Sequence, residues 1–255
     1  MSARVAAPGS VNRAGGRACY ARCMSGRPAP NETEISTAAP GTVVVFDFDG
    51  TLVSRDSFLD FALRYCAARP LRLFIVGCFV PLAVAFRLRS LKSAGSILLW
   101  AMTVGTSTRH FVGALRRYAQ STLPRYTNEP IFAELTRHLG EGSRVVIATG
   151  TMPLLVRALL NARRLGSVPV VGSRLRRRWG GLVAETHCIG GTKRFELKRR
   201  FGIVEWSTVY TDSFADRSLL SRARDITLVD PSRRTLSRTR RLIGEATALR
   251  VLRPD

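Results

Sequence analysis

Acidic residues are scarce in this sequence of 255 residues. Only 18 Asp and Glu face 40 Lys and Arg, so the formal net charge is +22. Such a chain is attracted to polyanions, either nucleic acid or an anionic membrane surface. Arginine supplies most of the excess, and a high-GC genome could produce part of that bias without any binding function. Both explanations stay open at this point.

Cysteine and histidine are also few. The spacing of the cysteines is not that of a zinc site, and nothing indicates a disulfide framework, so we expect a reducing compartment. The histidines show no triad or metal-site spacing. No Walker phosphate loop is present, so the sequence does not imply ATP as a cofactor. These residues are Cys19, Cys23, Cys66, Cys78, Cys188, His110, His138 and His187.

The apolar runs are short. Residues 73–86 form a run of 14, interrupted by Gly77 and Pro81 and flanked by arginines, including Arg89. A spanning helix needs roughly 20 apolar residues. With the second apolar stretch, residues 94–104, this run indicates either a buried helical bundle or a hairpin that dips into the bilayer. In the second case Trp100 would lie at the headgroup level.

Residues 1–40 lack both a regular pattern and the apolar core of a secretory signal peptide. They are rich in Ala, Gly, Pro, Ser and Arg. We interpret them as a disordered arm or a mis-assigned start, with Met24 as the alternative initiator, and leave them out of the fold prediction.

Strand and helix patterns alternate along the rest of the chain. Strands are predicted at residues 42–47, 144–148, 168–171, 208–210 and 226–229, the last two being the final strands. Helices are predicted throughout 57–139 and at 153–162 and 194–200, with a hairpin turn at 179–183. This alternation predicts an α/β fold, a Rossmann-like parallel sheet core with an inserted helical cap. The core would comprise 41–56 and 140–255, and the cap 57–139, the part that could insert into a membrane.

Two carboxylates follow the first predicted strand. Because side chains alternate along an extended chain, Asp47 and Asp49 point the same way and repel unless a cation or a shared proton intervenes. Gly50 lets the chain turn away without a Cβ clash. An ordinary loop that ends a strand is the alternative, but the apolar run before this pair and Thr51 after it favour a functional site.

Further polar residues follow other predicted strands. Asp212 and Asp216 come after residues 208–210 and could offer hard oxygen ligands to Mg²⁺, although a helix N-cap is the simpler role for either alone. Thr149 ends another strand, where its hydroxyl could donate to a phosphoryl oxygen or could cap a helix. Lys193 follows a Gly-Gly-Thr segment, where it could reach a phosphoryl group or could be an ordinary surface lysine. Ligands of parallel α/β sheets bind at the carboxyl ends of strands, so these residues form one predicted site.

The ordered set D-x-D-G-T, Thr, Lys and D-x-x-x-D resembles the four motifs of the haloacid dehalogenase superfamily. The resemblance covers residues 43 to about 231, and the spacing resembles the branch with a helical cap after the first motif, as in phosphoserine phosphatases. It implies that Thr149 and Lys193 bind phosphoryl oxygens. One departure is Thr211, where the fourth motif often has Gly.

The same resemblance implies a phosphatase mechanism. Asp47 would attack phosphorus and form an aspartyl-phosphate. Asp49 would protonate the leaving oxygen and then deprotonate the hydrolytic water. Magnesium would be held by Asp47, the backbone carbonyl of Asp49 and Asp212, with Asp216 close by.

A narrower resemblance is to bacterial phosphatidylglycerophosphatase C. It rests on Arg55-Asp56-Ser57-Phe58, Leu98-Leu99-Trp100, Thr149-Gly150, Gly180-Gly181-Leu182-Val183 and Cys188-Ile189-Gly190. It implies hydrolysis of phosphatidylglycerol phosphate in phospholipid biosynthesis, at the bacterial inner membrane with the active site facing the cytoplasm. The partners would be a phospholipid phosphate and an anionic membrane surface.

Two other functions compete with this one. A soluble cytoplasmic phosphatase of small metabolites such as phosphoserine would have the same motifs. A basic nucleic-acid-binding protein agrees with the charge, but we disfavour it because neither zinc-finger spacing nor an aromatic RNA-binding motif is present. The arginine clusters could meet anionic lipid or could be solvated faces, and the oligomeric state stays open. The clusters are Arg174, Arg176, Arg177, Arg178 and Arg233, Arg234, Arg238, Arg240, Arg241.

Overall fold

A computed structural model of the protein describes residues 42–87, 91–244 and 246–254. The predicted tail, with Cys19, Cys23 and Met24, lies outside these residues, and so does Arg89. Within them the strands are β1 (Val43–Phe46), β2 (Arg144–Ala148), β3 (Val170–Val171), β4 (Arg174–Arg178), β5 (Gly181–Thr186), β6 (Thr208–Thr211), β7 (Asp225–Val229) and β8 (Ala248–Leu252). The α-helices are α1 (Ser57–Ala67), α2 (Pro70–Arg87), α3 (Leu91–Thr103), α4 (Thr108–Ser121), α5 (Glu129–Gly140), α6 (Pro153–Ala162), α7 (Gly191–Phe201), α8 (Arg217–Leu220) and α9 (Arg233–Leu242).

Six strands form one parallel sheet in the order β3-β2-β1-β6-β7-β8. Strand β1 is central, and Val44, Val45 and Phe46 are fully buried. Strands buried on both faces are apolar along their whole length, which is why the sequence predicted this one well. The predicted α/β fold, a Rossmann-like sheet with an inserted helical cap, is confirmed.

The prediction that residues 208–210 and 226–229 are the last strands is wrong, because β8 adds a further strand. It lies at the sheet edge, and its residues are either exposed or half-buried. Arg250, at its centre, reaches Glu134 at 3.3 Å. A half-exposed edge strand with a central arginine lacks the continuous apolar run on which the prediction relied. Helices α8 and α9 were also not predicted.

The helical block predicted after β1 consists of α1 to α5. Helices α2 and α3 form an antiparallel pair, since Arg72 at the start of α2 donates to the carbonyl oxygens of Met102 and Val104 at the end of α3, at 2.8 and 3.2 Å. The rings of Phe79 and Trp100 are 5.3 Å apart in the same pair. None of the helices in the described ranges is both long and apolar enough to cross a membrane.

Helix α5, the last of the block, packs on the sheet. His138 Nε2 lies 3.0 Å from the Tyr210 hydroxyl of β6, and the Tyr210 ring stacks on Phe46 of β1 with centroids 4.2 Å apart. The inserted segment thus returns to the core before β2 begins. The domain boundaries drawn from the sequence stay a prediction.

The predicted hairpin turn joins β4 and β5 through Trp179 and Gly180. Both residues have positive φ, 48° and 75°, as a two-residue type I′ turn requires. The Trp100 indole donates to the Trp179 carbonyl at 3.0 Å, and the Leu182 amide donates to Thr103 Oγ1 at 2.8 Å. Trp100 therefore takes part in the contact between α3 and the hairpin.

Candidate active site

The first motif extends β1 into a tight loop. The Asp47 amide donates to the Tyr210 carbonyl at 2.9 Å, which keeps Asp47 beside β6. Asp47 is only 7% exposed, and its Oδ1 accepts from the Phe48 amide at 2.8 Å. The chain then turns at Gly50, whose φ is +76°, a conformation that glycine adopts without steric cost.

Lys193 bridges two carboxylates at this point. Its ammonium Nζ lies 2.8 Å from Asp47 Oδ1 and 2.7 Å from Asp216 Oδ2, and the residue is 4% exposed. Burial lowers the pKa of Lys193, but the charges of Asp47 and Asp216 outweigh it and raise the pKa above the ordinary value. Both carboxylates therefore favour the cationic form of the buried lysine, and its phosphate-binding role stays a prediction.

Thr211, the residue that departs from the common motif, has a structural role. Its hydroxyl donates to Asp216 Oδ2 at 3.0 Å and also accepts from the Ser213 amide at 3.2 Å. The same Asp216 oxygen therefore accepts from Thr211 and from Lys193. A glycine at 211 would leave Asp216 without this second donor.

Asp49 faces the start of the helical block. Its Oδ1 accepts from the Ser57 amide, the first residue of α1, at 2.8 Å. Burial raises the pKa of Asp49 to about 6, and the hydrogen bond from Ser57 limits the rise. A carboxyl with such a pKa can both give and take a proton near neutral pH, as general acid–base catalysis requires.

Asp212 lies against the loop of the first motif. A Cβ built on Gly50 would overlap the Asp212 carboxyl group, so glycine is required there for space as well as for φ. Burial raises the pKa of Asp212 to about 6. The register of β1 and β6, in which Phe46 pairs with Tyr210, brings Asp212 next to the Asp47 loop.

Magnesium fits this donor set. Among the described residues no group of three or more His, Cys, Asp or Glu side chains is arranged to hold a metal. However, Mg²⁺ is usually bound by one or two carboxylates together with water and substrate phosphate. Asp47, Asp212 and the backbone carbonyl of Asp49 supply hard oxygens of that kind. Burial also raises the pKa of both Asp47 and Asp212, and a nearby cation would favour their ionised forms. Asp216, predicted as a further ligand, contacts Lys193 directly.

A cavity of about 460 Å³ brings most of the predicted residues together. It is lined by Asp47, Asp49, Gly50, Ser54, Arg55, Asp56, Gly150, Ile189, Lys193, Asp212, Ser213, Ala215 and Asp216. Thr149 is not among them. It is fully buried, and its hydroxyl oxygen accepts from the Thr151 amide at 3.0 Å, while its neighbour Gly150 reaches the cavity. The phosphate-binding role of Thr149 stays a prediction.

Arg55 is a cavity residue to which the sequence analysis assigned no role. Its guanidinium stacks over the Tyr126 ring, 4.1 Å from the centroid, and lies 3.7 Å from Asp60 Oδ1. Both partners belong to the inserted segment, so Arg55 joins that segment to the mouth of the site. In the sequence, Arg55 stands four residues after the first motif, in the segment Arg55-Asp56-Ser57-Phe58 that carries part of the resemblance to phosphatidylglycerophosphatase C.

A parallel α/β sheet with buried carboxylates after its strands, held by a lysine from helix α7, is suited to phosphoryl transfer. Residues 44–221 match the model of the haloacid dehalogenase-like hydrolase family. The chain belongs to this family, and the superfamily assignment made from the motifs is confirmed.

Relatives and solved structures agree with this membership. The chain is 30% identical over 190 residues to Protein CicA of Caulobacter vibrioides strain NA1000, covering 71% of this chain and 82% of CicA. A protein of unknown function from Bordetella pertussis has a TM-score of 0.63 at 17% identity, covering 82% of this chain and 97% of that one. A phosphoserine phosphohydrolase-like protein from Francisella tularensis has a TM-score of 0.55 at 14% identity, covering 83% and 94%. The family, together with the fold shared with such proteins, supports the prediction of a phosphatase.

Proposed function

We propose that this protein is a magnesium-dependent phosphomonoester hydrolase that dephosphorylates phosphatidylglycerol phosphate through an aspartyl-phosphate. The observation that carries the proposal is the bridge from Lys193 to Asp47 and Asp216 in a cavity that also contains Asp49 and Asp212. This arrangement supplies a nucleophile, a fixed cation, a proton carrier and metal-binding oxygens.

The residues divide the chemistry among them. Asp47, oriented by Lys193 and the Phe48 amide, attacks phosphorus. Lys193 neutralises the phosphoryl oxygens as the leaving group departs. Asp49 gives its proton to the leaving oxygen and then takes one from the attacking water. When bound by Asp47, Asp212 and the Asp49 carbonyl, Mg²⁺ supplies positive charge against the repulsion between nucleophile and phosphate.

An exposed apolar surface supports a lipid substrate. Leu71 and Phe74 of α2 are 72% and 70% exposed. Other exposed apolar residues on the same helix are Leu73, Val80, Leu82 and Val84. A soluble cap does not ordinarily expose so many large apolar side chains along one helix, and such patches mark membrane or protein contacts. We assign this patch, the α2 patch, to the membrane surface.

The β4–β5 hairpin adds an aromatic and basic tip near one end of the α2–α3 pair. The Gly105 amide donates to the Gly180 carbonyl at 3.1 Å, so the hairpin turn lies beside the end of α3. Trp179 is 73% exposed, and the Arg178 guanidinium lies 4.1 Å from its ring centroid. Tryptophan and arginine are favoured where apolar and aqueous phases meet. We therefore propose a location on the cytoplasmic side of the bacterial inner membrane.

The test is a comparison of two substrates. The protein is purified in mild detergent with Mg²⁺, and phosphate release is measured from phosphatidylglycerol phosphate and from phosphoserine, with Asp47→Asn as the blank. We expect release mainly from the lipid. Release mainly from phosphoserine would retain the enzyme class and overturn the lipid substrate. Release by the Asp47→Asn variant at the parental rate would overturn the assignment of the nucleophile.

A further inference from the structure

A second cavity adjoins the catalytic one. It has a volume of about 550 Å³ and shares Ser213 and Ala215 with the catalytic cavity. Its lining residues are Gly190, Gly191, Ser213, Phe214, Ala215, Arg217, Ser232, Arg234, Thr235 and Arg238. No acidic residue is among them, and three of them are arginines. We call this space the arginine cavity.

The three arginines lack acidic partners. Within the described ranges, no carboxylate lies within ion-pair distance of Arg217, Arg234 or Arg238, whereas Arg137 of α5 is paired with Glu134, and Arg199 and Arg200 of α7 are paired with Glu196. Arg238 makes only a loose contact with the Phe214 ring, at 5.8 Å from the centroid. Guanidinium groups that face a common cavity without counter-charges are suited to bind a phosphate-type oxyanion.

The position of Arg234 strengthens this argument. It is the second residue of α9, in the first turn after the Ser232 cap, and that turn contains no acidic residue. The helix dipole makes positive charge unfavourable at an N-terminus. An oxyanion in the cavity would offset this repulsion, and Thr235 lines the same space.

We propose that the arginine cavity binds a second phosphate group of the substrate whose phosphomonoester is attacked by Asp47. The inference rests on the proposed phosphatase function and narrows its substrates to molecules with two phosphate groups. Ser213 directly follows Asp212, and Ala215 directly precedes Asp216. Because Ser213 and Ala215 line both cavities, the two cavities meet at this segment, where one ligand can reach both. A phosphodiester carried by the same molecule has the required charge.

The kinetic test uses a matched pair of water-soluble substrates. Glycerophosphoglycerol phosphate has a phosphodiester and a phosphomonoester, whereas glycerol 3-phosphate has the monoester alone. We expect the parent to prefer the first, and the Arg234→Gln/Arg238→Gln variant to lose at least about tenfold of that preference in kcat/KM, because hydrogen bonds to charged groups are lost. The control is Arg233→Gln/Arg240→Gln, which removes the same charge from the same helix outside the cavity and should retain the preference.

Four outcomes would overturn the proposal. The parent could lack the preference, the cavity variant could keep it, or the control could lose it equally, which would indicate a diffuse charge effect. The cavity variant could also lose the preference only on vesicles that contain phosphatidylglycerol and keep it on the two soluble substrates. This result would mean that a separate lipid headgroup occupies the cavity, and it would overturn the proposal.

A binding measurement separates this inference from the proposed function. Calorimetry with the Asp47→Asn protein and glycerophosphoglycerol phosphate requires no turnover. We expect the added Arg234→Gln/Arg238→Gln substitutions to weaken binding about tenfold or more and the added control substitutions to leave it within twofold. If the parent releases no phosphate from any substrate, this binding result alone decides the fate of the arginine cavity.

Discussion

Lys193 and Asp47 are 146 positions apart in the chain, yet the ammonium Nζ lies 2.8 Å from Asp47 Oδ1. The same ammonium reaches Asp216 at 2.7 Å, and all three side chains are almost fully buried. A lysine so placed holds two carboxylates together and also orients the one assigned as nucleophile. We therefore expect stability and catalysis to depend on the same contact.

Replacing Lys193 by methionine should cost both stability and activity. It leaves two buried carboxylates without a cation, and breaking such a pair typically costs about 3–5 kcal/mol. We expect the Lys193→Met variant to unfold at lower denaturant concentration and to release no phosphate. Chemical denaturation followed by circular dichroism measures the first effect.

The double variant Lys193→Met/Asp216→Asn tests whether the ion pair is the cause. Removing the second charge should restore part of the lost stability, with a coupling free energy of about 1–3 kcal/mol. Strictly additive effects of the two substitutions would show that Lys193 and Asp216 do not stabilise each other.

Asp49→Asn should separate the two halves of the reaction. Loss of the proton carrier slows turnover of an alkyl phosphate by about 100-fold or more. The leaving group of p-nitrophenyl phosphate needs no proton, so Asp47 can still be phosphorylated while hydrolysis is slow. We expect a burst of p-nitrophenol followed by a slow phase, measured by stopped-flow absorbance. Equal slowing of both substrates without a burst would remove Asp49 from the role of acid and base.

Gly50→Ala and Gly142→Ala form a matched pair. Both glycines have φ +76°, but a Cβ on Gly50 meets Asp212, whereas a Cβ on Gly142 has nothing within 4 Å. Each substitution should cost about 1–2 kcal/mol through the left-handed backbone. Only Gly50→Ala should also displace Asp212 and lower kcat/KM by about 100-fold. Similar activity in the two variants would mean that contact between Gly50 and Asp212 does not matter for catalysis.

Phe74→Ser should weaken membrane binding without destabilising the fold. Phe74 is largely exposed, so its removal should change stability by no more than about 0.5 kcal/mol. Burial of its ring in lipid contributes about 1.5–3 kcal/mol, and vesicle co-sedimentation should fall about tenfold or more. Phe195→Ser, an exposed aromatic of α7, is the control. If the two variants bind vesicles equally, the α2 patch does not contact the membrane.

Asp60 should give the protein a pH-dependent stability term. Its Oδ2 accepts from Arg64 at 2.8 Å and from Tyr118 at 2.9 Å. Burial raises the pKa of Asp60, but these hydrogen bonds outweigh it and the net pKa is lowered. Because the folded pKa lies below the unfolded value of about 3.9, the stabilisation is full above that pH and is lost as the pH falls through the folded value.

The Asp60→Asn variant measures this contribution. At pH 7 we expect it to be less stable than the parent by about 1 kcal/mol, and the difference should shrink as the pH falls below about 4. Thermal unfolding at pH 7, 5 and 3 provides the comparison. A difference that stays constant with pH would rule out the ionised carboxylate as its source.

Local patterns in the sequence determined most of the sheet and the identity of the site. Strand β2 and helix α6 begin and end at the predicted residues, because continuous apolar runs and buried helix faces leave strong local signals. The polar residues that follow the predicted strands were recognisable as one site, because the carboxyl ends of parallel strands meet at one edge of the sheet.

Only the tertiary structure decided which of those residues contact one another. Asp216 contacts Lys193, its role at the metal stays a prediction, and the motif departure at Thr211 supplies a hydrogen bond to Asp216. Strand β8 had no local signal, and the arginine cluster of α9 was visible in the sequence but its place beside the catalytic cavity was not. Edge pairing and charge compensation depend on residues far apart in the chain. Sequence periodicity therefore determined the elements and the chemical groups available, and long-range packing decided their partners.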